Sequence, residues 1–122
     1  EAREYLKRFL KRRFECNIFE ASRGEEAITL LKENKLDLVF LDIRMPGISG
    51  MEVLKEAKKL AEKPVIWVVT GFDSEEVAHK VIEQGAGDYI TKPFALKVLD
   101  RKVRDFLSGI GKYKPKGNVD SV

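Results

Sequence analysis

Leu38-Val39-Phe40-Leu41-Asp42 is a run of four apolar residues closed by a carboxylate. A strand with one wet face would alternate apolar with polar. A continuous run of this length instead reads as a strand buried on both faces, as in a parallel sheet. A second run, Val65-Ile66-Trp67-Val68-Val69, follows Pro64 and ends at Thr70. A shorter one, Asp88-Tyr89-Ile90-Thr91, ends at Lys92-Pro93. Residues 16–21, beginning at Cys16, read as a further short strand, with Cys16 a small residue near the core.

Helical patterns lie between these runs. The chain opens in one, with Tyr5, Leu6, Phe9 and Leu10 on an inner face and Lys7, Arg8, Lys11 and Arg12 opposite. Ser22-Arg23-Gly24-Glu25 has the form of a capping box before a helix over 25–34, whose inner face carries Ala27, Ile28 and Leu31. Ser49 with Glu52 repeats that form before Val53, Leu54 and Ala57. Asp73 with Glu76 caps a helix that Gly85 closes. The last helix spans 95–107. From Ser108 the composition changes: Gly109, Gly111, Pro115 and Gly117 break helix, and Lys112, Lys114 and Lys116 keep the segment solvated. The expected division is one domain over 1–108 and a basic tail or linker over 109–122.

The 122 residues suit one domain, and 43% hydrophobic content supplies a core. A net charge of +3 is too mild to require nucleic acid as a partner. One cysteine excludes a disulfide framework. No apolar run reaches the ~20 residues of a membrane span, so a soluble, cytoplasmic protein is expected. Alternation of strand and helix implies a doubly wound, open parallel α/β sheet with helices on both faces. Such sheets bind ligands beyond the carboxyl ends of their strands. Asp42, Thr70 and Lys92 each close a different strand: an acid, a hydroxyl and a cation. Trp67 reads as core, and His79 as a structural or exposed helix residue.

Three segments carry a family resemblance. The stretch from Asp42-Ile43-Arg44-Met45-Pro46-Gly47 to Ile48-Ser49-Gly50, then Val68-Val69-Thr70-Gly71, then Gly85-Ala86-Gly87-Asp88-Tyr89-Ile90-Thr91-Lys92-Pro93-Phe94, resemble in order and spacing the phosphoacceptor, switch-threonine and lysine-proline segments of response-regulator receiver domains. The resemblance runs from Glu1 to about Leu107. It implies a flavodoxin-like fold in which Asp42 accepts a phosphoryl group from a sensor histidine kinase. A carboxylate, with a reference pKa of ~3.9, needs no general base for this. It also implies that Lys92 neutralises a phosphoryl oxygen, that Thr70 bonds the phosphoryl group, and that Thr70 and Tyr89 move together as a switch. The metal implied is Mg²⁺, held by Asp42 and the Arg44 backbone carbonyl. A cis bond before Pro93 is implied too. The partners implied are the kinase and a downstream output domain or protein. Such a domain is a phosphoacceptor and switch that promotes its own phosphorylation and dephosphorylation, not an enzyme with an external product. The alternative is a degenerate receiver that binds proteins without phosphorylation. Nucleic acid is not expected as a partner of this domain, nor is a membrane.

Receivers open with an apolar strand ending in an acidic pair that holds the metal, and this chain opens with the segment that follows. The acidic-pair role is not carried onto Glu1, so Mg²⁺ is expected to bind weakly or not at all. Truncation, degeneration and replacement of the strand by residues 116–122 are the competing explanations. Seven residues can extend ~23 Å at ~3.3 Å each, though only Val119 and Val122 there are strongly apolar. Unpaired buried backbone groups cost ~1–3 kcal/mol each. The slot between the strands starting near Cys16 and Leu38 is therefore expected to be filled: by the tail, by direct pairing, or by exchange that would make a homodimer.

Overall fold

The structure is a computed structural model in which residues 2–44, 47, 49–71, 75–93 and 95–115 are described. In chain order the elements are α1 (Ala2–Arg13), α2 (Gly24–Glu33), β1 (Leu38–Asp42), α3 (Gly50–Ala57), β2 (Val65–Thr70), α4 (Glu75–Glu83), β3 (Asp88–Thr91) and α5 (Leu96–Gly109). The chain divides into two compact units, residues 19–93 and residues 1–18 with 94–122.

The unit over 19–93 contains a parallel three-stranded sheet of order β1-β2-β3. Leu41 pairs with Val68 and Asp42 with Val69, while Thr70 pairs with Thr91. Alternation along β2 sends Ile66 and Val68 to one face, where they join a buried cluster with Leu41, Leu31 of α2, Val53, Leu54 and Ala57 of α3, Val81 of α4, and Ala86. Fully burying side chains of this size stabilises by roughly 1.5–3 kcal/mol each. The other face carries Trp67, buried as expected, with the Phe40 ring edge-on to it at 5.5 Å.

The expected helix ends hold at two places and shift at a third. Ser49 caps α3, its Oγ accepting from the Glu52 amide at 3.3 Å. Gly85, at φ +108°, closes α4 and donates to the Ile82 carbonyl at 3.0 Å. At α2 the expected pairing of Ser22 with Glu25 is replaced. The N-cap is Arg23, which makes no side-chain cap bond. The Ser22 amide and hydroxyl instead both donate to Glu26 Oε1, each at 2.8 Å. The extra residue lets the Glu26 carboxylate reach back over a full helical turn. These bonds favour the charged form and hold the Glu26 carboxyl below its ordinary value. The Asp73 cap lies outside the described residues.

Residues 16–21 form no strand, which corrects the expectation for that segment. Cys16 is exposed and Phe19 is 51% exposed, so neither is core. A strand persists only where a partner satisfies its backbone, and the ladder contact nearby is a single antiparallel bridge between Phe14 and Pro115. The expected slot between two strands is thus not formed among the described residues: β1 is the edge strand of their sheet. Replacement by residues 116–122 lies outside the described residues.

In the other unit, Arg13 of α1 pairs with Asp100 of α5 at 3.5 Å, and Phe9, Phe14, Leu99 and Val103 are buried. Tyr5 is half exposed, so it does not belong to the inner face expected for α1. α5 runs to Gly109, past the expected end at 107. The segment after it is anchored: Lys114 O accepts from the Glu15 amide at 2.9 Å, and Tyr113 stacks edge-on to Phe14 at 6.1 Å. Among the described residues, no helix is long and apolar enough to cross a membrane.

Candidate functional site at the strand ends

Parallel register brings the carboxyl ends of β1, β2 and β3 to one edge of the sheet. Asp42 closes β1, and both of its oxygens are engaged. Oδ1 accepts from the Arg44 amide at 2.9 Å, a short-range turn bond of the kind aspartates make at loop starts. Oδ2 accepts from the Lys92 ammonium at 2.8 Å, across 50 residues of sequence. This pair is charge-assisted and short, as an ammonium-carboxylate bond should be. The side chains remain 37% and 30% exposed, so a reactant from solvent can reach the carboxylate.

Lys92 is placed by the sheet. Its amide donates to the Thr70 carbonyl at 2.8 Å, carrying the ladder one step past β3. Its bond to Pro93 is cis. Thr70 thus meets Lys92 through the backbone, and its side chain is completely buried. Tyr89 is half-buried and packs on the core cluster. Arg44 is exposed beside Asp42. Met45, Pro46, Ile48, Phe72 and Phe94 lie outside the described residues. His79 is exposed on α4, 3.6 Å from Glu83.

Gly50 closes the segment that begins at Asp42, but motif reading gave it no role. A Cβ there would collide with Ile43 Cα and stand 3.0 Å from the Asp42 carbonyl oxygen. The Gly50 amide also donates to the Ile43 carbonyl at 3.4 Å. The start of α3 is therefore pressed against the backbone of the Asp42 loop, and only glycine permits it. The signal was present in the sequence, since Ser49 as a cap places Gly50 at the first helical position.

A divalent cation of the Mg²⁺ type prefers several hard oxygen ligands in octahedral array. No group of three His, Cys, Asp or Glu side chains suited to a metal exists among the described residues. Asp42 offers one carboxylate, whose oxygens already accept from Arg44 and Lys92. These donors do not by themselves make up a Mg²⁺ site.

A family model described as the response regulator receiver domain matches residues 1–104. A cyclic di-GMP phosphodiesterase from Thermotoga maritima is 40% identical over 87 residues, which cover 71% of this chain and 23% of that protein. The chain thus spans about a quarter of that relative's length. Among solved structures, a CheY-like response regulator receiver domain protein from Methanospirillum hungatei is 29% identical with a TM-score of 0.75, covering 89% of this chain and 86% of that one. The BeF3-activated N-terminal receiver domain of RstA from Klebsiella pneumoniae is also 29% identical, with a TM-score of 0.72, covering 87% and 86%. The flavodoxin-like α/β fold is common to these structures and this chain.

Proposed function

This chain belongs to the response regulator receiver domain family of two-component signalling, and we propose that it accepts a phosphoryl group on Asp42 from a sensor histidine kinase and relays that event to a partner. The observation that supports this reading best is the 2.8 Å contact between Asp42 Oδ2 and the Lys92 ammonium. An acid and a cation that close different strands meet at a reachable edge of the sheet.

The chemistry follows from the groups present. A carboxylate oxygen of Asp42 attacks the phosphorus of an N-phosphorylated imidazole. An O–P bond forms as the N–P bond breaks. The electron pair of the broken bond returns to the imidazole nitrogen, which takes up a proton from solvent. The product is an acyl phosphate. Its difficulty is the approach of two anions, which the Lys92 ammonium relieves as a preorganised donor. The Arg44 amide holds the other carboxylate oxygen, so the attacking group is oriented before the donor arrives. Asp42 belongs to no group of three metal-ligating side chains among the described residues, so Mg²⁺ is proposed to bind weakly there, and no step is assigned to it.

Phosphorylation replaces the −1 of the Asp42 carboxylate with about −1.5 to −2 on the phosphoryl group, so this edge gains up to about one negative charge. The Thr70 hydroxyl then turns toward the new oxygens, leaving its buried position, and Tyr89 repacks on the core cluster behind it. The partner-binding surface changes with them, a local charge event biasing a two-state element. In this reading the domain is a phosphoacceptor and switch in the cytoplasm, not an enzyme with an external product. Its partners are the kinase and an output domain or protein.

The test is labelling with a small phosphodonor such as acetyl phosphate, with and without Mg²⁺. Wild type is expected to take up one phosphoryl group that is labile to acid, to base and to hydroxylamine, and Asp42→Asn none. Undiminished labelling of Asp42→Asn would refute the assignment.

A further inference from the structure

Gly47 lies on the loop that leads from Asp42 to α3, at φ +79°. A Cβ built there would stand on the Glu25 carboxylate and 2.9 Å from Arg23 Nη2. The loop backbone and the start of α2 therefore approach as closely as a residue without a side chain allows. Arg23 and Glu25 are themselves ion-paired, Nε to Oε1 at 3.5 Å. The same Glu25 oxygen faces Arg23 on one side and the loop on the other. The Arg23 side chain plays no part in capping α2, although Arg23 is the N-cap residue. The start of α2 is instead fixed by the two bonds from Ser22 to Glu26, which leaves Arg23 and Glu25 to meet the loop.

The loop is also held at its two ends. At one, the Arg44 amide bonds the Asp42 carboxylate; at the other, Gly50 presses on Ile43. Gly47 against the ion pair is a third point, between them. The pair is half exposed, so its worth in global stability is small. Its position is what matters, because it meets Gly47, three residues along the chain from the Arg44 amide.

We propose that Arg23 and Glu25 are positioning residues for Asp42: their ion pair backs the acceptor loop at Gly47 and so holds the Arg44 amide on the carboxylate. This rests on the reading of Asp42 as the phosphoacceptor. Loss of the pair removes the contact at Gly47, the Arg44 bond to Asp42 is made less often, and a phosphoryl group there is more open to water.

Four variants test this: Arg23→Gln, Glu25→Gln, Arg23→Lys, and the reversed pair Arg23→Glu with Glu25→Arg. Two readouts are taken on each, the NMR positions of the Arg44 and Gly47 amides and the half-life of the phosphoryl label. The first readout needs no phosphorylation. Each neutralised variant is expected to move both amides and to shorten the label half-life about threefold, within what an exposed ion pair supplies. Arg23→Lys and the reversed pair are expected to keep both readouts near wild type, and thermal melting should be unchanged throughout. Unmoved Arg44 and Gly47 amides in both neutralised variants would overturn the proposal. Moved amides with an unchanged half-life would also overturn it. If wild type takes no label, the phosphoacceptor reading fails instead, and the amide positions still decide whether the ion pair holds the loop.

Discussion

Lys92 and Asp42 share one contact, and the two halves of that contact have different consequences when removed. Lys92→Met leaves the Asp42 carboxylate with its Arg44 bond but without the cation proposed to offset charge during transfer. The rate of label uptake is expected to fall by about 10²-fold, the usual scale for losing one preorganised donor. Circular dichroism should be unaltered, because both side chains are partly exposed. A rate within twofold of wild type would show that Lys92 contributes only packing. Glu26 offers a second test at this scale. Its folded pKa lies below 4.5 because Ser22 donates to the charged carboxylate. The stabilisation it gives is therefore complete above the ordinary carboxylate value and lost as pH falls through the lowered one. An NMR titration should place the Glu26 midpoint below 4.5 and find it moved upward in Ser22→Ala. An unmoved midpoint would leave the Ser22 and Arg23 backbone amides and the Arg23 charge as the causes.

Elements differed in how far their residues announced them. β1, β2 and β3 were legible because each is an unbroken apolar or β-forming run that ends on a polar residue, and all three formed. α3 was legible from its Ser49 cap and the spacing of Val53, Leu54 and Ala57, all of which are buried. Leu54 is 1% exposed in the cluster that joins α3 to the sheet. Leu54→Ala is expected to cost about 2–5 kcal/mol in chemical denaturation, and a loss under about 1 kcal/mol would mean the cluster is looser than its burial indicates. Residues 16–21 failed for a reason that local sequence does not contain. Ile18 and Phe19 are β-formers, but strand identity depends on pairing with a partner edge, and residues 16–21 join no strand of the described sheet. The Ser22 bond to Glu26 was missed for a smaller reason, since the capping-box pattern counts three residues and the reach here is four.

At the scale of the whole molecule, the site is a product of topology. Asp42, Thr70 and Lys92 are far apart in sequence, and parallel register alone delivers their strand ends to one edge. That much was readable from the order of strands and helices. The approach of α2 to the acceptor loop was not, because it depends on where an exposed ion pair falls against Gly47. The most direct test of the account is to find the residue that carries the phosphoryl group. Wild-type protein is labelled with acetyl phosphate, reduced with borohydride to convert an aspartyl phosphate to homoserine, digested, and sequenced by mass spectrometry. The account predicts homoserine at position 42 and at no other acidic position. Homoserine at a different aspartate, with Asp42 intact in labelled protein, would contradict it.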